Sequence, residues 1–230
     1  MWSYGLRGIG RSSGRVFEPA ASMKKKKILI ADGKPRPKRL NLRAYTHIRG
    51  YHACRPVDIA KYYAEGLVLF DEKGLQQTAR SIFSLPPDKE LNDRLLPYRS
   101  RIFFCLFKQQ LIRGSGHYLC YGSEYLAGVA ARLDRYIAGP YHDILLRTGI
   151  PTIFICDVPL ELISEPQIED ISSNYCSDHT DWCFALEQSL PPEHIAGHEH
   201  PPRIFDPLVK YVRVNEQVRC PLCASTDTSE

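Results

Sequence analysis

Two polar side chains stand at the ends of segments of strand length, where a side chain can be held rigidly and still face a cleft. His52 follows the run 45–51, and Glu187 follows the run 182–186. A histidine so placed can donate one ring N–H to a ligand oxygen while its other nitrogen is anchored. A carboxylate at the end of an apolar strand must be near solvent, paired or protonated, and a cleft provides such surroundings. The alternatives are a structurally satisfied histidine and a glutamate exposed at a sheet edge.

A third segment, residues 114–125, combines small residues with tyrosines. Tyr118, Tyr121 and Tyr125 follow Gly114 and Gly116 within a short stretch. Aromatic rings flanked by glycines can stack on a planar ligand ring, and they can equally be core tyrosines in a tight turn. The sequence alone does not select one of these tyrosines as a ligand-stacking residue.

Histidine and cysteine pairs near the C-terminus match the ligand types of zinc. Cys220 and Cys223 form a CxxC sequence, and His198 and His200 lie upstream in His-Glu-His. Imidazole and thiolate together form four-ligand zinc sites. One CxxC is a weak signal, because a strong one has a second pair at defined spacing. A redox pair and a chance spacing are the alternatives, so we assign no metal ligand and keep zinc as an alternative cofactor.

The elements that would position these side chains follow an α+β order, without regular β-α-β alternation. Apolar runs and helical spacing predict the main elements: strands at 45–51, 102–107, 151–158 and 182–186, and helices at 56–66 and 124–138. Shorter strands are expected at 67–70 and 117–121, and 182–186 is expected to be the last core strand. No phosphate-binding glycine loop is present, which argues against nucleotide binding through a doubly wound sheet.

Two of these segments resemble parts of the ADP-ribosyltransferase fold. The string from His52 to Leu67 is similar to its opening, in which a strand ends in histidine, a short helix follows and Gly-Leu closes the unit. The segment from Phe184 to Ile195 is similar to its closing strand, with a glutamate before Pro-Pro-x-x-Ile. The branch in question has a His-Tyr-Glu active site and includes DNA-targeting toxins and NAD-dependent RNA 2′-phosphotransferases. The resemblance covers roughly residues 45–197.

The resemblance implies a split mixed or antiparallel sheet with short flanking helices, and NAD as a substrate. His52 and Glu187 would be catalytic: His52 would contact the ribose next to nicotinamide, and Glu187 would stabilise the oxocarbenium-like transition state electrostatically. Arg55 would pair the pyrophosphate, and Tyr118 or Tyr121 would stack on nicotinamide, with Tyr63 and Tyr125 as alternatives. An ADP-ribosyl group would pass to a macromolecular acceptor, with nucleic acid as one candidate, and nicotinamide would leave.

The sequence departs from that family in two respects. Ala53-Cys54 stands where a glycine or a small hydroxyl residue commonly follows the histidine. Ser-Thr-Ser and Glu-x-Glu motifs are absent, so transfer to arginine is not supported. A non-catalytic member of the fold and a zinc-containing nucleic-acid-binding module are therefore the alternative functions. The acceptor, an antitoxin or inhibitor partner and the oligomeric state stay open.

Charged residues are unevenly distributed along the 230 residues. Residues 1–50 carry 13 Lys and Arg against 2 acidic residues, whereas residues 51–230 carry 17 against 24. We expect a flexible basic arm at 1–40, an ADP-ribosyltransferase-like domain at 41–200 and a peripheral C-terminal extension at 201–230. The arm could follow a phosphate backbone or be a solvated tail.

Cysteine use and hydropathy predict the compartment. No stretch is apolar enough to cross a membrane, so we expect no membrane partner. The eight cysteines are dispersed, which indicates reduced thiols in a cytoplasmic protein. Three of them lie inside apolar runs: Cys105, Cys120 and Cys156. A further possible metal grouping is better explained by burial near the last strand: Cys176, His179 and Cys183.

Overall fold

The computed structural model describes residues 26–33, 40–86, 101–137, 139–174, 183–215 and 220–224. Most of the basic arm expected at 1–40 lies outside these ranges. Cys176 and His179, two members of the second metal grouping considered from the sequence, also lie outside the described residues.

A mainly antiparallel sheet forms the centre of the described fold, in the order β5-β3-β2-β4-β6. Its strands are β1 (Ile28–Leu29), β2 (His47–Cys54), β3 (Ile102–Cys105), β4 (Thr152–Pro159), β5 (Cys183–Leu186) and β6 (Ile195–Glu199). The two longest strands, β2 and β4, pair along their whole length, and β1 pairs with β2 in parallel. A separate hairpin joins β7 (Arg203–Asp206) to β8 (Tyr211–Val214).

Short helices flank the sheet. They are α1 (Ile59–Glu65), α2 (Glu72–Phe83), α3 (Lys108–Arg113), α4 (His117–Tyr121), α5 (Glu124–Ile137), α6 (Tyr141–Arg147), α7 (Glu165–Asn174) and α8 (Pro221–Ala224). Three 3₁₀ turns complete the description: Leu42–Ala44, Leu160–Leu162 and Pro192–His194. None of the helices in the described ranges is long and apolar enough to cross a bilayer. The expected α+β class is confirmed.

Both faces of the sheet are covered, because successive side chains of a strand point to opposite faces. Ile48 and Cys54 of β2 belong to a core cluster that includes Ile59 of α1. Tyr51 and Ala53 belong to a second cluster, which includes buried residues of α4 and α5. The apolar runs that predicted strands in the sequence are therefore the central strands of a sheet buried on both sides.

Gly66 ends α1, as the sequence predicts, and its conformation has a steric reason. Its φ of +83° lies in the region that favours glycine. A Cβ at this position would lie 2.1 Å from the carbonyl oxygen of Leu190. The close approach permits the bridge in which Leu67 and Leu190 exchange backbone hydrogen bonds. The strand expected at 67–70 is reduced to this single bridge.

Three further expectations about elements are wrong. Residues 117–121 form the helix α4 and not a strand. Strand β5 is followed by β6, which joins the sheet beside β4, so 182–186 is not the last core strand. His52 lies inside β2 and not beyond the end of the strand.

Candidate metal centre

Strand β6 directs the two histidines of His-Glu-His to one face of the sheet. Residues two apart on a strand share a face, and the residue between them points the other way. His198 pairs with Phe154 of β4, and His200 directly follows the strand. Glu199 accepts a 2.9 Å hydrogen bond from the ammonium of Lys108. The strand thus separates the two imidazoles from the carboxylate and leaves the imidazoles as neighbours.

The single helical turn α8 brings the two cysteines to these imidazoles. Cys220 precedes α8 and is 2% exposed, whereas Cys223 lies in the turn and is exposed. The Nε2 atom of His198 lies 3.3 Å from Sγ of Cys220 and 3.4 Å from Sγ of Cys223. Together with His200, these residues offer four potential ligand atoms that all lie within 4.8 Å of one another. We call this group the His₂Cys₂ cluster.

These separations suit a tetrahedral zinc ion. Zn–S bonds of about 2.3 Å and Zn–N bonds of about 2.0–2.1 Å place a sulfur and a nitrogen ligand roughly 3.5 Å apart in a tetrahedron. The two measured N–S distances around His198 Nε2 are within a few tenths of an ångström of that value. The arrangement of His198 between the two sulfur atoms is therefore the one that a shared zinc ion requires.

Groups outside the cluster orient both imidazoles. The Nδ1 atom of His200 donates to the carbonyl oxygen of Pro151 at 2.9 Å. A carbonyl can only accept, so the proton of neutral His200 is on Nδ1 and its Nε2 carries a lone pair. The Nδ1 atom of His198 lies 2.7 Å from the hydroxyl of Tyr63 on α1. Contacts of this kind fix ring orientation and raise ligand basicity in metal sites.

His200 supplies the clearest sign that something belongs between these side chains. Its Nε2 atom is buried and has no hydrogen-bond partner among the residues that the structure describes. A buried polar atom without a partner costs about 1–3 kcal/mol. A metal ion held by the cluster would satisfy it.

Local electrostatics favour the metal-binding form of His198. Burial lowers the pKa of His198 below its usual value of 6.5, and the neighbouring ring of His200 adds to the effect. The two ring centroids lie 5.1 Å apart in an edge-on arrangement. Neutral imidazole is the form that ligates metals, so His198 is ready for coordination at neutral pH.

Of the two side chains that the sequence suggested as catalytic, His52 lies on β2 and Glu187 directly follows β5. Strand β3 lies between these two strands in the sheet. His52 of β2 donates from Nδ1 to the carbonyl oxygen of Phe103 at 2.9 Å. Glu187 follows β5 and has a side chain that is 62% exposed. It accepts a 2.9 Å hydrogen bond from Arg101. Both side chains are thus engaged in contacts within the fold, and none of these contacts joins one to the other.

Arg55, expected to bind a pyrophosphate, directs its guanidinium to backbone carbonyl oxygens. It donates to four of them at 2.6–3.0 Å: Leu119, Leu146, Thr148 and Gly149. The guanidinium is partly buried, which lowers its pKa to about 10 and leaves it charged at neutral pH. These contacts fasten α4 and the end of α6 to the loop after β2.

The tyrosines expected to stack on nicotinamide also have partners within the fold. Tyr118 donates to Glu124 at 2.8 Å, and Tyr121 donates to the buried Asp206 at 2.6 Å. Tyr63, one of the alternatives, contacts His198 of the His₂Cys₂ cluster. The sequence showed the four cluster residues but gave no reason to add Tyr63 or the carbonyl of Pro151, which contact them only after folding.

Comparisons with protein-family models, with curated proteins and with solved structures found no significant match to this chain. The resemblance to ADP-ribosyltransferases therefore gains no support from them, and the candidate metal centre is assigned from the geometry of this chain alone.

Proposed function

We propose that this chain is a zinc protein in which His198, His200, Cys220 and Cys223 hold one Zn²⁺ ion. The observation that carries the proposal is the convergence of four potential ligand atoms within 4.8 Å. One of them is the buried Nε2 of His200, which has no hydrogen-bond partner within the described ranges. The sequence alone could not supply this observation, because the histidines and cysteines belong to separate elements.

The chemistry of the ligand set favours zinc over the other common metals. Two thiolates and two imidazoles in a tetrahedral arrangement suit zinc, whereas Mg²⁺ and Ca²⁺ prefer oxygen ligands. Four protein ligands leave no coordination position open for a substrate, which is typical of a structural zinc site. The function that follows is stabilisation of the fold.

The ion would connect parts of the chain that are distant in sequence. Cys220 packs in the core cluster on the α1 side of the sheet, although the segment 216–219 before it lies outside the described residues. A metal bound there would join the turn α8 to the sheet strand β6. Through Tyr63, which contacts His198, it would also join α1 to the same centre. The zinc would thus hold the C-terminal segment against the sheet.

The test is the zinc content of the purified full chain, measured by plasma mass spectrometry after dialysis. We expect one zinc per chain in the parent protein and a large loss in His200→Ala and Cys223→Ser. Cys183→Ser is the matched control for Cys223→Ser, because both cysteines are exposed. That control should keep its zinc, and its loss would instead favour the grouping around Cys176 and His179. A parent protein without zinc, even after refolding with Zn²⁺, would overturn the proposal.

ADP-ribosyl transfer from NAD to a macromolecular acceptor, nucleic acid included, is the second candidate. The observation that favours it is the hydrogen bond from His52 to the Phe103 carbonyl, which holds the ring in one orientation. The family to which the sequence is similar needs an oriented histidine on a strand of this kind. On this proposal, Glu187 leaves Arg101 to contact the ribose.

Labelled NAD with candidate acceptors tests that second proposal. Transfer by the parent protein should fall by at least about 100-fold in Glu187→Gln, the scale of losing one electrostatic contact to the transition state. Glu161→Gln, at another exposed glutamate, is the control. Equal transfer by the Glu187→Gln variant and the control would remove Glu187 from the reaction, and no transfer by the parent protein would end the proposal.

A further inference from the structure

Two cysteines far from the His₂Cys₂ cluster face each other across neighbouring strands. Cys105 is the last residue of β3, and Cys183 is the first residue of β5. They are direct partners in the antiparallel register of these strands. Their Sγ atoms lie 2.7 Å apart. That is closer than the roughly 3.5–4.0 Å of ordinary carbon contacts, although sulfur is the larger atom.

The backbone of this pair already suits a disulfide bond. Direct partners in antiparallel strands have Cα atoms about 4.5–5.5 Å apart, and disulfides span about 4.4–6.8 Å. An S–S bond of about 2.04 Å would need the two sulfurs to approach by less than 1 Å. Oxidation would therefore require side-chain movement without a slip in strand register.

The two thiols differ in access, which gives each one a role. Cys183 is exposed and Cys105 is buried. The side-chain amide of Gln110 on α3 donates to Sγ of Cys183 at 3.5 Å, and such a donor stabilises a thiolate. Cys183 is thus the thiol that a small molecule can reach, and Cys105 is the thiol that can resolve a mixed disulfide.

The other described thiols outside the candidate metal centre are less suited than Cys183 to attack a small disulfide first. Cys54, Cys120 and Cys156 are buried. Burial raises the pKa of Cys54 to about 12 and that of Cys120 to about 11, and it raises the pKa of Cys156 further. A thiol so protonated is a poor nucleophile.

The geometry points to Cys105 and Cys183 as a reversible dithiol–disulfide site that is oxidised by low-molecular-weight disulfides such as oxidised glutathione. The Cys183 thiolate attacks one sulfur of the small disulfide, which forms a mixed disulfide and releases one thiolate. Cys105 then loses its proton and attacks Sγ of Cys183, which releases the second small thiol. One protein disulfide forms, two protein thiols are oxidised and the small disulfide is reduced to two thiols. The product ties the edge strand β5 to β3.

To test this, the full zinc-loaded chain is treated with glutathione buffers that contain an increasing proportion of oxidised glutathione. Acid quenching, alkylation and peptide mapping follow. We expect a peptide pair linked through Cys105 and Cys183 to become the main form of these residues as oxidation increases. Dithiothreitol should reverse the link, and the zinc content should stay unchanged. The absence of this link, or a link from Cys183 to Cys176 in its place, would overturn the inference.

Single variants separate the two roles. Cys105→Ala should stop at a mixed disulfide between Cys183 and glutathione, because no resolving thiol is left. Cys183→Ser should leave Cys105 unmodified, because the exposed thiol is missing, and Cys120→Ser should form the link as the parent protein does. Because Cys183 is exposed, we expect the Cys183→Ser variant to fold. The zinc content of this variant checks its folding independently. Glutathione attached to Cys105 in that variant would contradict the assigned order of attack.

Discussion

At the scale of single residues, the orientation of the histidine rings decides whether the cluster can bind a metal. Tyr63 and the Pro151 carbonyl hold the Nδ1 atoms of His198 and His200. Both Nε2 atoms are then left for the shared centre. A sequence displays the two histidines and the CxxC pair but not these outer contacts, because they come from α1 and from the residue before β4.

Removal of the Tyr63 hydroxyl tests that orientation. Tyr63→Phe should weaken zinc affinity by about 10–100-fold, the usual cost of losing a group that orients a metal ligand. Competition with a chromogenic chelator measures the change. Tyr136→Phe removes a hydroxyl from an exposed ring on α5 and should keep the affinity of the parent protein. Equal affinity in both variants would show that Tyr63 does not orient His198.

The pH dependence of stability has a separate residue-scale source in His52. Burial lowers the pKa of His52 below 6.5, although its hydrogen bond to Phe103 partly opposes the shift. As the pH falls through about 6.5, the unfolded chain binds this proton before the folded protein does. The free energy of unfolding should therefore decrease between pH 7.5 and pH 5.5.

His52→Gln removes this contribution and should show a smaller decrease over the same range, measured by urea unfolding. Protonation of the proposed zinc ligands would affect the parent protein and the variant alike, so the difference between them isolates His52. His117→Gln serves as a control for loss of a histidine elsewhere. If His52→Gln lost as much stability on acidification as the parent protein, the lowered pKa would not contribute.

At the scale of elements, the sequence predicted strands β2 to β5 and the amphipathic helix α5 better than the segments 67–70 and 117–121. Strands β2, β3, β4 and β5 and helix α5 occur close to their expected positions. The run 117–121 has only five residues, too few for periodicity to distinguish a strand from a helix. Its helical form brings the Leu119 carbonyl to the guanidinium of Arg55, a contact between distant parts of the chain.

Arg55 is therefore expected to contribute to stability by holding these elements together. Arg55→Lys replaces a planar fork of five donors by a single ammonium, which cannot reach all four carbonyls. We expect the free energy of unfolding to fall by about 2–3 kcal/mol, the scale of hydrogen bonds to a charged group. Urea unfolding measures it, and Arg203→Lys at an exposed position is the control. A loss no greater than that of the control would leave Arg55 available for another role, such as the expected contact with a pyrophosphate.

At the scale of the whole molecule, the sequence predicted the fold class but not the convergence that forms the candidate metal centre. The sheet order β5-β3-β2-β4-β6 places β6 beside β4. The turn α8 then returns to the same face through Cys220. Two ligand pairs some 20 residues apart do not reveal such a return, because many chain paths fit the same spacing. NAD binding and ADP-ribosyl transfer stay predictions, because none of the contacts described above tests them.

Removal of the metal should destabilise the protein as a whole. Zinc present at about 1,000 times its dissociation constant stabilises the folded state by about 4 kcal/mol. For a chain of this size, that corresponds to a fall in Tm of roughly 8–16 °C after chelation. Cys220→Ser, which lacks one ligand, should show almost no further fall with chelator. An unchanged Tm of the parent protein would mean that the ion does not stabilise the fold.

X-ray absorption at the zinc edge tests the coordination itself most directly. For the purified full chain, a zinc centre held by the His₂Cys₂ cluster predicts two sulfur ligands at about 2.3 Å and two nitrogen ligands at about 2.0–2.1 Å. His200→Ala should reduce the nitrogen count while both sulfurs remain. A first shell of oxygen and nitrogen without sulfur, or a protein that binds no zinc, would contradict the assignment of these four residues.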